Sequence, residues 1–105
     1  MTDITVEELA RRRREGEAIT VIDIRESWEV AICSLPDAIA IPMATLAADP
    51  ARIAPDREVV LVCHAGGRSD RLAAMFVARG YTNVRSLRGG IDEWARTIDP
   101  SMARY

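Results

Sequence analysis

Glu58-Val59-Val60-Leu61-Val62-Cys63-His64-Ala65-Gly66-Gly67-Arg68-Ser69 is an apolar, β-branched run that ends on a cysteine and passes into a glycine-rich loop. The run reads as a buried strand. A helical pattern follows from Ser69 to Arg79, with Leu72, Met75, Phe76 and Arg79 at helical spacing, and Gly80 stands where such a helix ends. Strand, short loop and helix make the repeating unit of a parallel α/β sheet. Cys63 therefore sits at the carboxyl end of a strand, inside a turn of backbone N–H groups, at the positive end of a helix. Such surroundings favour an anionic sulfur, and the stretch reads as a carrier of nucleophilic cysteine chemistry.

Outward from this stretch the signals keep alternating. On the N-terminal side, Ile4 reads as a short edge strand and Thr5-Val6-Glu7-Glu8 as a capping box, with Thr5 as N-cap and Glu8 reaching back. The helix it opens runs to about Arg14 and stops at Gly16. Thr20 to Ile24 reads as a buried strand, Glu26 to Ile32 as a short helix, Ala38 to Ile41 as a strand stopped by Pro42, and Met43 to Ala48 as a short helix broken by Asp49-Pro50. On the C-terminal side come a last strand, Asn83 to Leu87, and a last helix, Gly90 to Thr97; Pro100 opens a tail. The fold class is α/β: a mainly parallel sheet of about five strands with helices on both faces. Ligands of such sheets bind beyond the carboxyl ends of the strands, where Cys63 is joined by Asp23 and Arg25.

Length and composition narrow the function classes. A chain of 105 residues is the size of one domain. Two cysteines, Cys33 and Cys63, do not make a disulfide framework, and with a single histidine and no Cys-x-x-Cys pair they do not make a zinc site. Every basic side chain is arginine, which rules out Schiff-base chemistry on a lysine. A net charge of −2 gives no pull toward nucleic acid. No apolar run approaches the length of a membrane span, and the opening Met1-Thr2-Asp3-Ile4-Thr5-Val6-Glu7-Glu8 lacks the basic-then-apolar pattern of a secretory leader, so the expected compartment is the cytoplasm. Arg11-Arg12-Arg13-Arg14 reads as the solvated last turn of the first helix; the sharper alternative is a docking patch for an acidic partner.

Four segments in order carry a family resemblance: Val21-Ile22-Asp23-Ile24-Arg25-Glu26, Leu35-Pro36-Asp37-Ala38-Ile39-Ala40-Ile41-Pro42, the Cys-x-x-Gly-x-Arg-Ser loop from Cys63 to Ser69, and Leu87-Arg88-Gly89-Gly90-Ile91-Asp92-Glu93-Trp94. Together they resemble a single-domain rhodanese of the thiosulfate sulfurtransferase type. The resemblance implies one rhodanese domain over 1–105, with a core of about 3–98 and a tail of 99–105. The tail, Ile98 to Tyr105, is similar to that of rhodanese domains fused to the adenylating enzymes that activate sulfur-carrier proteins for molybdopterin and thiamine synthesis. The chain departs from the family at Cys33-Ser34-Leu35, where Gly-His-Ile is usual, and at Asp37, where glycine usually follows the proline; the expected consequence is a changed local turn.

The resemblance implies a two-step sulfur transfer. Cys63 takes the outer sulfur of thiosulfate or a similar donor, then passes it from a persulfide to cyanide, a thiol or a sulfur-carrier protein. The loop His64-Ala65-Gly66-Gly67-Arg68 is expected to aim N–H groups at the sulfur as an anion nest does, with Arg68 and Ser69 adding donors and positive charge. His64 either faces solvent or helps to activate the thiol. Asp23 is expected to accept hydrogen bonds that fix the loop, and Arg25 to pair with an acid or border the site. Trp28, Trp94, Met43, Met75 and Phe76 read as packing residues. Cys33 reads as a small half-buried hydrophobe, with a resolving thiol as the alternative. No metal or organic cofactor is implied. A dedicated protein-to-protein persulfide relay is the alternative function. Phosphatase or arsenate reductase chemistry is disfavoured, because those loops are Cys-x5-Arg and the spacing from Cys63 to Arg68 is Cys-x4-Arg.

Overall fold

The computed structural model describes residues 3–105; Met1 and Thr2, which open the stretch read for a leader, lie outside the described residues. The elements run β1 (Asp3–Ile4), α1 (Val6–Arg14), β2 (Ile19–Asp23), α2 (Ser27–Ile32), β3 (Ile39–Ala40), α3 (Met43–Ala48), a 3-10 turn (Pro50–Arg52), β4 (Glu58–Val62), α4 (Gly67–Ala78), β5 (Val84–Leu87) and α5 (Gly90–Thr97). The strands form one sheet in the order β1-β5-β4-β2-β3, and every pairing is parallel. β4 lies at the centre, with Ile22 opposite Leu61 on one side and Leu61 opposite Ser86 on the other.

The two-residue period of β4 sorts its side chains between two cores. Val60 and Val62 face a layer built on α1 and α5, where Leu9, Ala10, Ile91 and Trp94 are buried. Val59, Leu61 and Cys63 face the opposite layer, where Leu46 of α3 and Leu72, Ala73 and Phe76 of α4 are buried. Covering both faces explains why β4 is apolar throughout rather than alternating. No helix among the described residues is long and apolar enough to cross a membrane.

Local chemistry sets the boundaries. Thr5 caps α1 by accepting from the Glu8 N–H at 3.1 Å. The Glu8 carboxylate does not reach back as a capping box requires; it lies 3.8 Å from Arg12 and 3.7 Å from Arg85. α4 begins at Gly67, two residues before the expected start, because the loop enters its first turn directly from Gly66. β3 is shorter than expected and exposed at both residues, as suits a sheet edge. Asp37 has φ 61°, a left-handed conformation that glycine adopts freely and aspartate adopts at some cost. The arginine run is largely engaged within the chain. Arg11 pairs with Glu15, Arg12 with Glu17 and Glu58, and Arg13 donates to the Pro36 carbonyl.

The packing expectations hold for Trp94 and Phe76, which are buried, while Met43 and Met75 lie at the margin of the second core. Trp28 contradicts them, with 63% of its surface exposed. On the six-residue α2 it is Glu29 that turns inward, and the adjacent Trp28, about 100° around the helix, is carried outward.

Candidate active site

Cys63 follows the last residue of β4, and the chain then climbs through His64, Ala65 and Gly66 into α4. Its sulfur lies within the turn this path makes. The Gly66 N–H donates to Sγ at 3.1 Å and the Ser69 N–H at 3.4 Å, and Ser69 Oγ lies 3.4 Å from Sγ. Ser69 Oγ in turn shares a 2.6 Å hydrogen bond with Ser86 Oγ of β5 and donates to the Gly66 carbonyl at 3.1 Å. The loop thus presents donors from two of its backbone units rather than from each in succession. The N–H groups of the first turn of α4 have no carbonyl inside the helix to meet, so they are open to an anion at this end.

The carbonyls of the same loop are held elsewhere. The Ile91 N–H donates to the Cys63 carbonyl at 2.9 Å, and the Asp92 N–H to the His64 carbonyl at 3.0 Å. The first turn of α5 therefore grips the back of the loop. This approach needs Gly90, with φ 62°: a β-carbon there would lie 2.6 Å from the Cys63 carbonyl oxygen and would also strike that of His64. Gly66 is needed for its φ of 107° and for its closeness to Gly89. The Gly89-Gly90 pair of the fourth sequence segment is part of the sulfur loop's support, a role the sequence reading had not given it.

The side chains around the loop form one connected network. Arg68 is not free to meet an anion: it makes two hydrogen bonds to Glu29, at 2.7 and 2.8 Å, on a carboxylate that is almost fully buried. Hydrogen bonding from Arg68, with a further contribution from Tyr105, holds the Glu29 carboxyl down at about 2 despite its burial, while Glu29 raises the Arg68 guanidinium above its ordinary value. Asp23 does not touch the loop. It accepts from Arg25 at 2.9 Å (Nε) and 2.7 Å (Nη2), and both residues are buried. Arg25 spends its remaining donors on the carbonyls of Cys33, at 2.6 Å, and Glu29, at 3.3 Å, and on the Tyr105 hydroxyl, at 3.0 Å. Burial opposes the Arg25 charge, and Asp23 and Tyr105 more than offset it, so its guanidinium is held above its ordinary value. Asp23 and Arg25 therefore fix α2 and the turn after it, and through Glu29 they reach Arg68 indirectly.

His64 is half-buried, with its ring stacked on Tyr105 at 4.0 Å and 14°. Ala65 and Gly67 are exposed on the outer side of the loop. Cys33 is half-buried and unpaired, as is the more deeply buried Cys63. Sequence reasoning missed Glu29, Ser86 and Tyr105. Each meets the loop across the fold, and the one available signal was an acid in the first turn of a short helix that follows a strand end.

A rhodanese-like domain family matches residues 5–97 of the chain. The chain belongs to the rhodanese-like family. This rhodanese-like domain is 38% identical over 103 residues to a sulfurtransferase of Allochromatium vinosum, a match that covers 98% of this chain and 96% of that one. It is 32% identical over 104 residues to the probable adenylyltransferase/sulfurtransferase MoeZ of Mycobacterium tuberculosis, where it spans 97% of itself but 26% of that protein. Among solved structures it superposes on a rhodanese-related protein of Thermoplasma volcanium with a TM-score of 0.79 and 27% identity, covering 91% of this chain and 92% of the other.

Proposed function

We propose that this rhodanese-like domain is a sulfurtransferase that carries sulfane sulfur on Cys63. The observation that bears most weight is the pair of donors on one sulfur, the Gly66 and Ser69 N–H groups, with the Ser69 hydroxyl oxygen beside them. In the first step the Cys63 thiolate attacks the outer sulfur of thiosulfate or a related donor. A new S–S bond forms, the donor's S–S bond breaks, and sulfite leaves with the electron pair. In the second step cyanide or a thiolate, free or carried on an acceptor protein, attacks the outer sulfur of the persulfide, and the Cys63 thiolate departs. The sulfur is anionic as thiolate, as persulfide and as leaving group, so fixed N–H donors stabilise every station of the cycle without reorganising. Both cysteines are free, which fits a reducing cytoplasm.

The relatives support this reading, because one bears the name sulfurtransferase and another the name adenylyltransferase/sulfurtransferase. The second name also supports a narrower form, in which the acceptor is a sulfur-carrier protein. A phosphatase is disfavoured by the Arg68–Glu29 pair: a phosphate in this loop would find its arginine already neutralised by a buried carboxylate. Intact mass after incubation with thiosulfate tests the proposal. The chain is expected to gain one sulfur atom, to lose it to cyanide, and to gain none as Cys63→Ser. Absence of the gain in the unaltered protein would overturn the proposal.

A further inference from the structure

Ser86 stands in β5 opposite Leu61, on the face of the sheet that Leu61 shares with Cys63. It is completely buried, between the apolar core residues Val84 and Leu87 of its own strand. A hydroxyl placed there is costly unless it is hydrogen-bonded. Among the described residues its oxygen has one partner, Ser69 Oγ at 2.6 Å. Ser69 is equally buried and has two more: the Gly66 carbonyl at 3.1 Å and Cys63 Sγ at 3.4 Å. A polar chain therefore runs from β5 through Ser69 to the sulfur.

A count of hydrogens fixes the direction of this chain. Each hydroxyl carries one hydrogen and accepts at two lone pairs. If Ser69 gave its hydrogen to Ser86, the Ser86 hydrogen would be buried without an acceptor, and an unmade buried donor costs more than a made bond contributes. If Ser86 gives its hydrogen to Ser69, both hydroxyls are satisfied. The Ser69 hydrogen is then left for the Gly66 carbonyl or for the sulfur, and one lone pair of Ser69 Oγ stays open. Beside a neutral thiol, Ser69 accepts from S–H and donates to the carbonyl. Beside a sulfur anion, its hydrogen turns from the carbonyl to Sγ. The oxygen already lies within reach of both acceptors, so no heavy atom has to move. The Gly66 carbonyl is not stranded by the turn, because it keeps the Asp70 N–H at 2.9 Å.

We infer that Ser86 is a positioning residue for the sulfur: by donating to Ser69 it reserves the Ser69 hydrogen for the loop, and so makes that hydroxyl a donor that turns to Cys63 when the sulfur is charged. Donation from Ser86 also polarises the Ser69 O–H and strengthens its bond to an anion. The gain would apply to thiolate and persulfide alike, and that bearing on transfer rests on the function proposed for Cys63. The effect on the thiol itself does not, since its ionisation is read without any sulfur donor.

The test is a double-mutant cycle on the ionisation of Cys63. It is followed by the ultraviolet absorbance of the thiolate against pH, with Cys63→Ser subtracted from each variant so that Cys33 cancels. The ionisable groups around the loop, His64, Asp70, Asp92 and the Arg68–Glu29 pair, are common to every variant. Ser86→Ala is expected to raise the midpoint by about half a pH unit, a roughly threefold change in the ionisation constant, the lower end of what one hydrogen bond contributes. Ser69→Ala is expected to raise it further, because it removes the donor itself. Adding Ser86→Ala to Ser69→Ala is expected to leave the midpoint where Ser69→Ala put it, since Ser86 reaches the sulfur only through Ser69. Ser86→Thr keeps a hydroxyl on a strand that suits a β-branched residue, and is expected to restore the normal midpoint. An unchanged midpoint in Ser86→Ala would overturn the inference. So would an equal shift from Ser86→Ala with Ser69 present and absent, which would mark a packing effect. Sulfur uptake from thiosulfate by the unaltered protein separates the two readings: a thiol that responds to Ser86 but gains no sulfur would sink the proposed function alone.

Discussion

Gly90→Ala is the substitution whose effect can be worked out most fully. Gly90 has φ 62°, and its β-carbon would stand 2.6 Å from the Cys63 carbonyl oxygen. Forcing a β-carbon residue into the left-handed region costs about 1–2 kcal/mol. Restoring a tolerable contact of 3.4 Å with the His64 carbonyl oxygen, which lies closer still, means that α5 or the loop moves by about 1 Å. That displacement strains the two bonds from Ile91 and Asp92 to the loop carbonyls, at about 0.5–1.5 kcal/mol each. The expected loss is about 2–5 kcal/mol in urea unfolding. Because a shift of about 1 Å in a reacting group can cost a hundredfold in rate, sulfite release from thiosulfate is expected to fall by about that factor. Gly80→Ala supplies the control. Gly80 has φ 94°, yet nothing lies within 4 Å of its β-carbon position, so it is expected to lose about 1–2 kcal/mol and to keep its transfer rate. Equal stability losses in the two variants, or near-normal transfer by Gly90→Ala, would refute the claim that α5 shapes the loop through this contact.

Glu29 sets an acid limb. Its carboxyl lies below its ordinary value of 4.5, at about 2, so its contribution is complete above about pH 4.5 and is lost as the pH falls toward about 2. Since Arg68 is about a third exposed, that contribution is about 2–3 kcal/mol at most. Glu29→Gln is expected to flatten the stability profile across that window in acid unfolding followed by circular dichroism. Ser69→Ala removes one contact to Sγ and leaves the buried Ser86 hydroxyl without its partner. It is expected to cost about 1–3 kcal/mol and to slow persulfide formation by roughly tenfold or more, and adding Ser86→Ala is expected to return stability but not rate. Asp37→Gly relieves a left-handed aspartate and is expected to raise the unfolding free energy measured in urea by up to about 1 kcal/mol, with transfer unchanged.

The sheet was legible because its signals are local. The period of β4, the glycine stops and the short connections each act within a few residues, and helix and strand boundaries fell within about two residues wherever a cap or glycine marked them. The sulfur loop was legible for the same reason: its glycines and its serine lie within six residues of Cys63. What could not be read was what the loop leans on. Glu29 meets Arg68 across 39 residues of sequence, and Tyr105 meets Glu29 across 76. Arg68 looked like a free cation because nothing near it in sequence announces a carboxylate. Trp28 looked like a core residue because aromatic side chains usually are, but on a helix of six residues one buried acid fixes which side faces in.

The clamp from α5 explains how a loop this short can be polar in one direction. In a trans peptide the C=O and the following N–H point opposite ways. With the Cys63 and His64 carbonyls tied to the Ile91 and Asp92 N–H groups, the N–H groups of His64 and Ala65 must face away from α5. Gly66 then reverses the chain with its left-handed φ, and its own N–H meets the sulfur. Two helix N-termini thus converge on one loop, α4 with its first-turn donors and α5 through the carbonyls it neutralises, and each leaves positive potential near the same atom. An anion at Cys63 is stabilised from both sides while Arg68 is turned aside to Glu29.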